Sequence, residues 1–412
     1  MIRTRRASIG RMGKTLAQFA VTVALLSTFM TPSALADAGF KRWIASFRTT
    51  ALNSGVSATT FNRAFAGVTA PDPEVLKKAA YQPEFTAPVW DYIDNRVNEH
   101  SIATGQAMAR QWGPWLQRIE QRFGVHRSIL LAIWSMESNY GEILKREEVM
   151  RDAIRSLATL AYADKARAKY ARTQLIAAMK ILQTGDIDRS HLTGSWAGAL
   201  GHTQFIPTSY QAYAVDIDGD GKRNIWTSPP DALATAANLL KRNGWESGQT
   251  WGYEVVLPAG RKLPSGSLTL AEWQALGVKR ANGKPFPRGS QKATLKVPDG
   301  REGPAFLMTK NFFVLKRYNN ADKYALGVGL LADRIAGYPG LVQDWNRPFT
   351  PISMRERQEL QQHLQALGYY DGNIDGKIGS TSRKAIEAFQ QRNGLSPDGH
   401  PSKEVLSVLR QR

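Results

Sequence analysis

The sequence predicts a mainly α-helical, α+β protein, built as a long helical region with a small strand-rich insertion and a compact three-helix unit at the C-terminus. Three observations predict it. From Phe40 to about Gln249, apolar residues recur at three- and four-residue spacing, as in Ile119, Phe123, Ile129, Leu130, Ile133 and Trp134, which is the period of a half-buried helix. Between about Thr250 and Lys316, Gly and Pro become frequent and short alternating runs replace that period. After a Pro-containing break, the last stretch returns to helical spacing. The 412 residues suit two or three domains, and the 42% hydrophobic content supports a sizeable core. Cysteine is absent, which excludes a disulfide framework, a thiolate metal site and a lipid-modified cysteine anchor.

The chain opens with a basic stretch (Arg3, Arg5, Arg6, Arg11, Lys14) and a short apolar run from Leu16 to Met30, then Ala34-Leu35-Ala36. That order predicts a cleaved export signal over residues 1–36 and a mature chain in the periplasm. Polar residues interrupt the apolar run, which argues against a retained membrane anchor, and no later segment is long and apolar enough to span a bilayer. The net charge of +19 falls to +14 without the five basic residues of the leader. A basic surface suits an anionic polymer. No nucleic-acid motif accompanies it, and an exported chain rarely meets nucleic acid.

Within the helical region, Ser128 to Gly141 reads SILLAIWSMESNYG. Glu137 falls at the end of a strongly apolar helix that Asn139-Tyr140-Gly141 terminates. Ile133, Trp134 and Met136 would exclude water there, and the negative end of the helix dipole would disfavour ionisation. Both effects raise a carboxyl pKa, as a general acid at neutral pH requires.

Further along, Asp216-Ile217-Asp218-Gly219-Asp220-Gly221 places acids at positions 1, 3 and 5 and glycine at 6 of a calcium-type loop. Position 12 is Thr227, not the expected glutamate. The loop is therefore either a structural calcium site or a metal-free turn neutralised by Lys222 and Arg223. In the strand-rich insertion, Tyr253 to Leu257 and Phe312 to Leu315 predict strands, and helix returns over Lys323 to Ile335. Residues 347–351 form a linker. In the unit 352–412, Leu360, Leu364 and Leu367, then Ala385, Ile386 and Phe389, then Val405, Leu406 and Leu409 line three helices.

An ordered set of motifs carries a family resemblance over nearly all of residues 40 to 345. It comprises Gly39-Phe40-x-x-Trp43, Gly55-Val56-Ser57, Gln82 to Thr86, Ala132-Ile133-Trp134-x-x-Glu137-Ser138-Asn139-Tyr140-Gly141, Ser195 to Ser209 with its Gln204, the Asp-rich loop, and Tyr318-Asn319 with Tyr324-Ala325. The chain resembles the lytic transglycosylase B family, which cleaves the glycan of peptidoglycan.

The resemblance implies a lysozyme-like catalytic domain over residues 37–346 and assigns the acid/base to Glu137. It implies that Ser195 and Gln204 face the cleft and that Tyr318, Asn319 and Tyr324 lie opposite the glutamate. Tyr92 falls on an aromatic position of a sugar subsite, and Asp231 on an acid that closes the loop begun by Asp216, Asp218 and Asp220. Sugars need amide and hydroxyl partners and aromatic faces, and these residues offer both. The chain departs from the pattern after Ala161-Tyr162, where only Arg167 of an expected arginine pair is present. The C-terminal unit resembles a peptidoglycan-binding domain, through Leu367-Gly368-Tyr369-Tyr370-Asp371-Gly372 and Gly394-Leu395-x-x-Asp398-Gly399.

The resemblance further implies cleavage between N-acetylmuramic acid and N-acetylglucosamine by one glutamate, giving 1,6-anhydromuramic ends without a cofactor. Two alternatives stay open at this level. A muramidase that admits water would need a second carboxylate. A non-catalytic wall-binding scaffold would need no acid at all.

Overall fold

The computed structural model describes residues 32–80 and 88–412. The basic and apolar stretches of the expected leader and the Gln82 to Thr86 segment lie outside these residues. None of the described helices is long and apolar enough to cross a membrane.

The helical region follows the apolar spacing closely. Helices run over Pro32–Asn53, Ala58–Phe65, Pro73–Ala80, Val89–Arg96, Glu99–Gln111, Gly113–Phe123 and Arg127–Ser138, then Ala153–Ala163, Ala168–Thr184, Pro207–Tyr213 and Pro229–Arg242. Their starts are chemically marked. Ser57 accepts from the Thr60 N–H, Asn98 and Ser101 form a reciprocal capping box, and Ser228 accepts from the Asp231 N–H. The Arg127–Ser138 helix lies at the centre, with Leu130, Leu131, Ala132 and Ile133 fully buried. Truncating one of these leucines to alanine would cost about 2–5 kcal/mol. Two short strands, β1 (Arg151–Asp152) and β2 (Thr193–Gly194), pair antiparallel, and β2 leads into the glycine-rich stretch that begins at Ser195.

The insertion is a five-stranded antiparallel sheet. Its strands are β3 (Gly252–Val256), β4 (Ser267–Thr269), β5 (Lys279–Arg280), β6 (Lys292–Lys296) and β7 (Ala305–Met308), in the order β4-β6-β7-β3-β5. It has its own core around Trp273, which is fully buried and donates its indole N–H to the Ala293 carbonyl at 2.9 Å. The strand expected over Tyr253 to Leu257 is present as β3. The strand expected over Phe312 to Leu315 is not, because those residues lie in a helix, Lys310–Tyr318. Asn311, Phe312, Val314 and Leu315 are buried while Phe313 is exposed, so the run is a helical stripe whose four consecutive apolar residues mimic a strand. The helix expected over Lys323 to Ile335 spans Asp322–Ile335.

The C-terminal unit has three helices, Met354–Ala366, Ser380–Arg392 and Lys403–Leu409, around Leu360, Leu364, Ile386, Phe389 and Leu406. Buried Gln361 stitches its turn, accepting from the Gly376 N–H at 2.7 Å and donating to the Lys377 carbonyl at 3.1 Å. This core is separate from the main one, yet the unit docks on the Val89–Arg96 helix. Asp94 receives Arg347 at 2.6 Å and Arg357 at 3.1 Å. Asp91 pairs with Arg383. Asn95 accepts from the Ile378 N–H at 3.0 Å. Phe349 of the linker stacks on His400 at 4.7 Å and meets Trp90 edge-on at 5.4 Å.

Candidate active site

Glu137 is the penultimate residue of its helix. The helix stops because Asn139, Tyr140 and Gly141 take φ of 50°, 57° and 90° in succession. Two of the three carry a Cβ, so this is a costly turn that long-range contacts must hold. Ser138 donates to the His202 carbonyl at 2.6 Å. A Cβ at Gly141 would lie 2.5 Å from the His202 ring, so glycine is required there by space as well as by φ. The Trp134 indole donates to His202 Nδ1 at 3.1 Å. An indole can only donate, so that nitrogen is an acceptor and the ring proton sits on Nε2. Burial lowers the His202 pKa to about 4, which keeps the ring neutral.

Three helices converge on the glutamate. Tyr324, from the Asp322–Ile335 helix, donates its hydroxyl to Glu137 Oε1 at 2.6 Å. Tyr318 stacks on Tyr324 with ring centroids 6.3 Å apart, meets Phe205 edge-on at 5.4 Å and donates to the Thr203 carbonyl at 2.6 Å. The glycine-rich loop thus braces the tyrosine that holds the acid. Tyr92, from the Val89–Arg96 helix, approaches the same group across Gly327. A Cβ at Gly327 would come within 2.7 Å of Met136 Cε and 3.3 Å of Tyr92 Cε1.

Burial raises the Glu137 pKa to about 7, against the opposing effects of the Tyr324 hydrogen bond and the Arg96 charge. Burial also raises the phenols of Tyr92, Tyr318 and Tyr324, with the Glu137 charge adding to the rise. Among the described residues no carboxylate is one of the groups that shift Glu137.

The other expected residues are placed as follows. Gln204 has φ 48° and donates its side-chain amide to the Gly201 carbonyl at 2.9 Å. Ser195 Oγ accepts from the Ala199 N–H at 3.1 Å and so closes the turn of the glycine-rich loop. Asn319 caps the C-terminus of its helix and is exposed. Arg167 pairs with Asp164 and lies 5.9 Å from the Trp196 ring centroid. Arg96, His202 and Gly327 were not marked by their residue types. The signal for Arg96 is its place one turn after Tyr92, where its guanidinium lies 5.8 Å from the ring centroid.

A cavity of about 1260 Å³ opens elsewhere, between the core, the sheet and the linker. Glu137 is not in its walls.

In the acidic loop, Asp216, Asp218 and Asp231 each offer an oxygen within 4.8 Å of the others, while Asp220 turns to accept from the Lys222 N–H at 2.8 Å. Asp231 is fully buried and accepts from the Ile217 and Asn224 N–H groups at 2.9 and 2.8 Å. Burial raises its pKa to about 6, and the nearby charges of Asp218 and Asp216 add to the rise. Arg223 pairs with Asp186 at 2.6 Å instead of the loop acids.

This arrangement has relatives. The transglycosylase SLT domain matches residues 39–333 and a peptidoglycan binding domain matches residues 353–409. The chain belongs to the SLT transglycosylase family. It is 30% identical to the membrane-bound lytic murein transglycosylase B of Escherichia coli K12 over 60% of this chain, and it spans 66% of that relative's length. Among solved structures, SltB3 from Pseudomonas aeruginosa in complex with NAG-anhNAM-pentapeptide is 47% identical, with a TM-score of 0.71 over 90% of this chain and 99% of that one. The E. coli transglycosylase Slt35 in complex with calcium is 26% identical, with a TM-score of 0.60 over 72% of this chain and 92% of that one.

Proposed function

We propose that this protein is a periplasmic lytic transglycosylase that cleaves the β-1,4 bond between N-acetylmuramic acid and N-acetylglucosamine, with Glu137 as its acid and base. The observation that carries the proposal is a single glutamate, raised to a pKa of about 7 by burial and held by Tyr324. Near neutral pH such a group populates both protonation states.

The geometry suits the two halves of the reaction. With Oε1 engaged by the Tyr324 hydroxyl, Oε2 is left to carry the mobile proton. Protonated Glu137 gives that proton to the glycosidic oxygen as the bond to C1 breaks. The resulting carboxylate, which Tyr324 and Arg96 stabilise, takes the proton of the muramic acid C6 hydroxyl. The C6 oxygen then closes on C1. No water enters, and the glutamate ends protonated as it began. A hydrolase of this kind would need a second carboxylate, and among the described residues none is a cause of the Glu137 shift. The 47% identical relative is seen with both NAG-anhNAM-pentapeptide and NAG-NAM-pentapeptide, so a cleft of this kind accommodates both muramyl forms.

End-group mass spectrometry of digested wall tests the reading. Products one water lighter than reducing ends are expected, and a digest with only reducing ends would make the enzyme a hydrolase.

Two further roles belong to this reading. The acidic loop is a structural calcium site, formed by Asp216, Asp218 and Asp231 with hard oxygen donors, and the ion would offset the repulsion among them. The C-terminal unit adheres to insoluble wall. A chain ending at Pro351 should sediment less with wall, and equal sedimentation would count against adhesion.

A further inference from the structure

The Val89–Arg96 helix has two occupied faces, and they serve different parts of the protein. Its outer face is covered by the C-terminal unit through Trp90, Asp91, Asp94 and Asn95. Its inner face carries Tyr92 and Arg96 to the catalytic glutamate. Both sets lie within eight residues, less than three turns, so the helix cannot shift under one without moving the other.

The outer contacts are of the kind that fix position. Arg347, Arg357 and Asp94 keep only 11%, 10% and 17% of their side chains exposed. A charge pair so far out of water tolerates little misalignment, because each partner left alone is buried unpaired. Arg383 bridges Asp91 to His400, whose Nδ1 lies 3.3 Å away, and His400 closes the aromatic stack on Phe349 and Trp90. On the inner side the contacts are looser. Arg96 is solvent-exposed and reaches the Met136 carbonyl only at 3.5 Å, and Tyr92 packs across the gap left by Gly327. The firmer face therefore sets the register of the looser one.

We infer that the C-terminal unit is a positioning element for catalysis as well as an adhesion module. Its Arg357 and Arg383, with Arg347 of the linker, are clasped on Asp91 and Asp94 and hold Tyr92 and Arg96 in place against Glu137, so turnover depends on the unit being docked even when the substrate needs no anchoring. Asp91 and Asp94 are positioning residues in this scheme, acting through the inner face of their helix. The inference rests on Glu137 being the acid.

The test is steady-state cleavage of a short soluble muroglycan by the full chain, for which wall adhesion is irrelevant. Asp91→Asn with Asp94→Asn should lower kcat by roughly tenfold, inside the ~10²-fold that a 1 Å misplacement costs, with KM little changed. The pH profile gives a readout that a merely structural defect would not. The groups facing Glu137 are Tyr92 and Arg96 on the clasped helix and Tyr318 and Tyr324 opposite. Among the described residues Arg96 is the cation that acts on it, and its charge favours the carboxylate. Letting it drift raises the carboxyl pKa, so the alkaline limb of kcat/KM should move to higher pH. Arg96→Met should move it the same way, and Arg96→Lys should restore part of the shift. If the double variant fails to fold, Arg383→Gln removes only the most exposed link and should give a smaller shift of the same sign.

Wild-type kcat and an unmoved limb in the folded clasp variants would overturn the inference. Glu137→Gln in the same assay separates the two failures. If that variant is active, the acid assignment is wrong. If it is inactive while the clasp variants match wild type, only the coupling falls.

Discussion

Two carboxylate sites in this protein, Glu137 and the loop of Asp216, Asp218 and Asp231, are treated in opposite ways. Among the described residues no other acid acts on Glu137, which is buried and gets one short hydrogen bond from Tyr324. The loop gathers three acids and wraps backbone N–H groups around them. Asp216 accepts from Gly219 at 2.6 Å and Gly221 at 2.9 Å, and its pKa is lowered by these bonds. Burial with few donors keeps a proton within reach at Glu137, whereas the backbone donors lower Asp216 even as burial raises Asp231, and a cation there would offset the repulsion among the acids. What faces a carboxylate decides its task more than how many acids surround it.

The sharpest way to break this comparison is to remove the proton carrier. Glu137→Gln keeps the shape and the Tyr324 bond but can neither give nor take a proton. Turnover of wall should fall by at least ~10²–10⁴-fold, while sedimentation with wall is retained. Near-normal turnover would move the acid elsewhere.

For the loop, calcium added to metal-stripped protein should raise the melting temperature, since an ion that binds only the native state at a hundred times its Kd adds about 2.7 kcal/mol. Asp218→Asn should abolish most of that rise without altering kcat. A calcium-independent melt in the wild type would leave the loop a metal-free turn.

The Glu137→Gln variant also sharpens the contrast through stability. The native-state pKa is raised to about 7 from the ordinary 4.5. Native Glu137 therefore costs nothing below about pH 4.5, where both states are protonated. The cost grows as pH rises to about 7 and is fully expressed above it. The variant should be more stable than wild type at pH 8 by about 1–3 kcal/mol and equal to it at pH 4, read from urea melts. Equal stability at both would mean that the carboxyl is not desolvated.

A smaller effect is expected from Gly327→Ala. Its methyl group would press on Met136 and Tyr92, at a cost of about 1–3 kcal/mol, and should lower kcat more than it weakens wall binding.

Legibility in the sequence followed distance along the chain. The acid helix and its stop are local, so SILLAIWSMESNYG announced both. The acidic loop is local too, although its fourth member, Asp231, came only through resemblance. The Phe312 to Leu315 run failed because four consecutive apolar residues fit either period, and the packing partners that decide between them lie far away. Arg96 was missed because its charge reaches Glu137 only across the fold, from a helix forty residues earlier in the chain. Arg223 looked like the loop's counter-charge by adjacency, but Asp186, thirty-seven residues earlier, holds it instead.

The hydroxyl that holds the acid comes from a residue 187 positions later in the chain. A ribosome makes the glutamate first. The phenol that steadies it arrives only after the sheet has been synthesised, so a nascent or truncated chain ending before Tyr324 carries an acid without its brace.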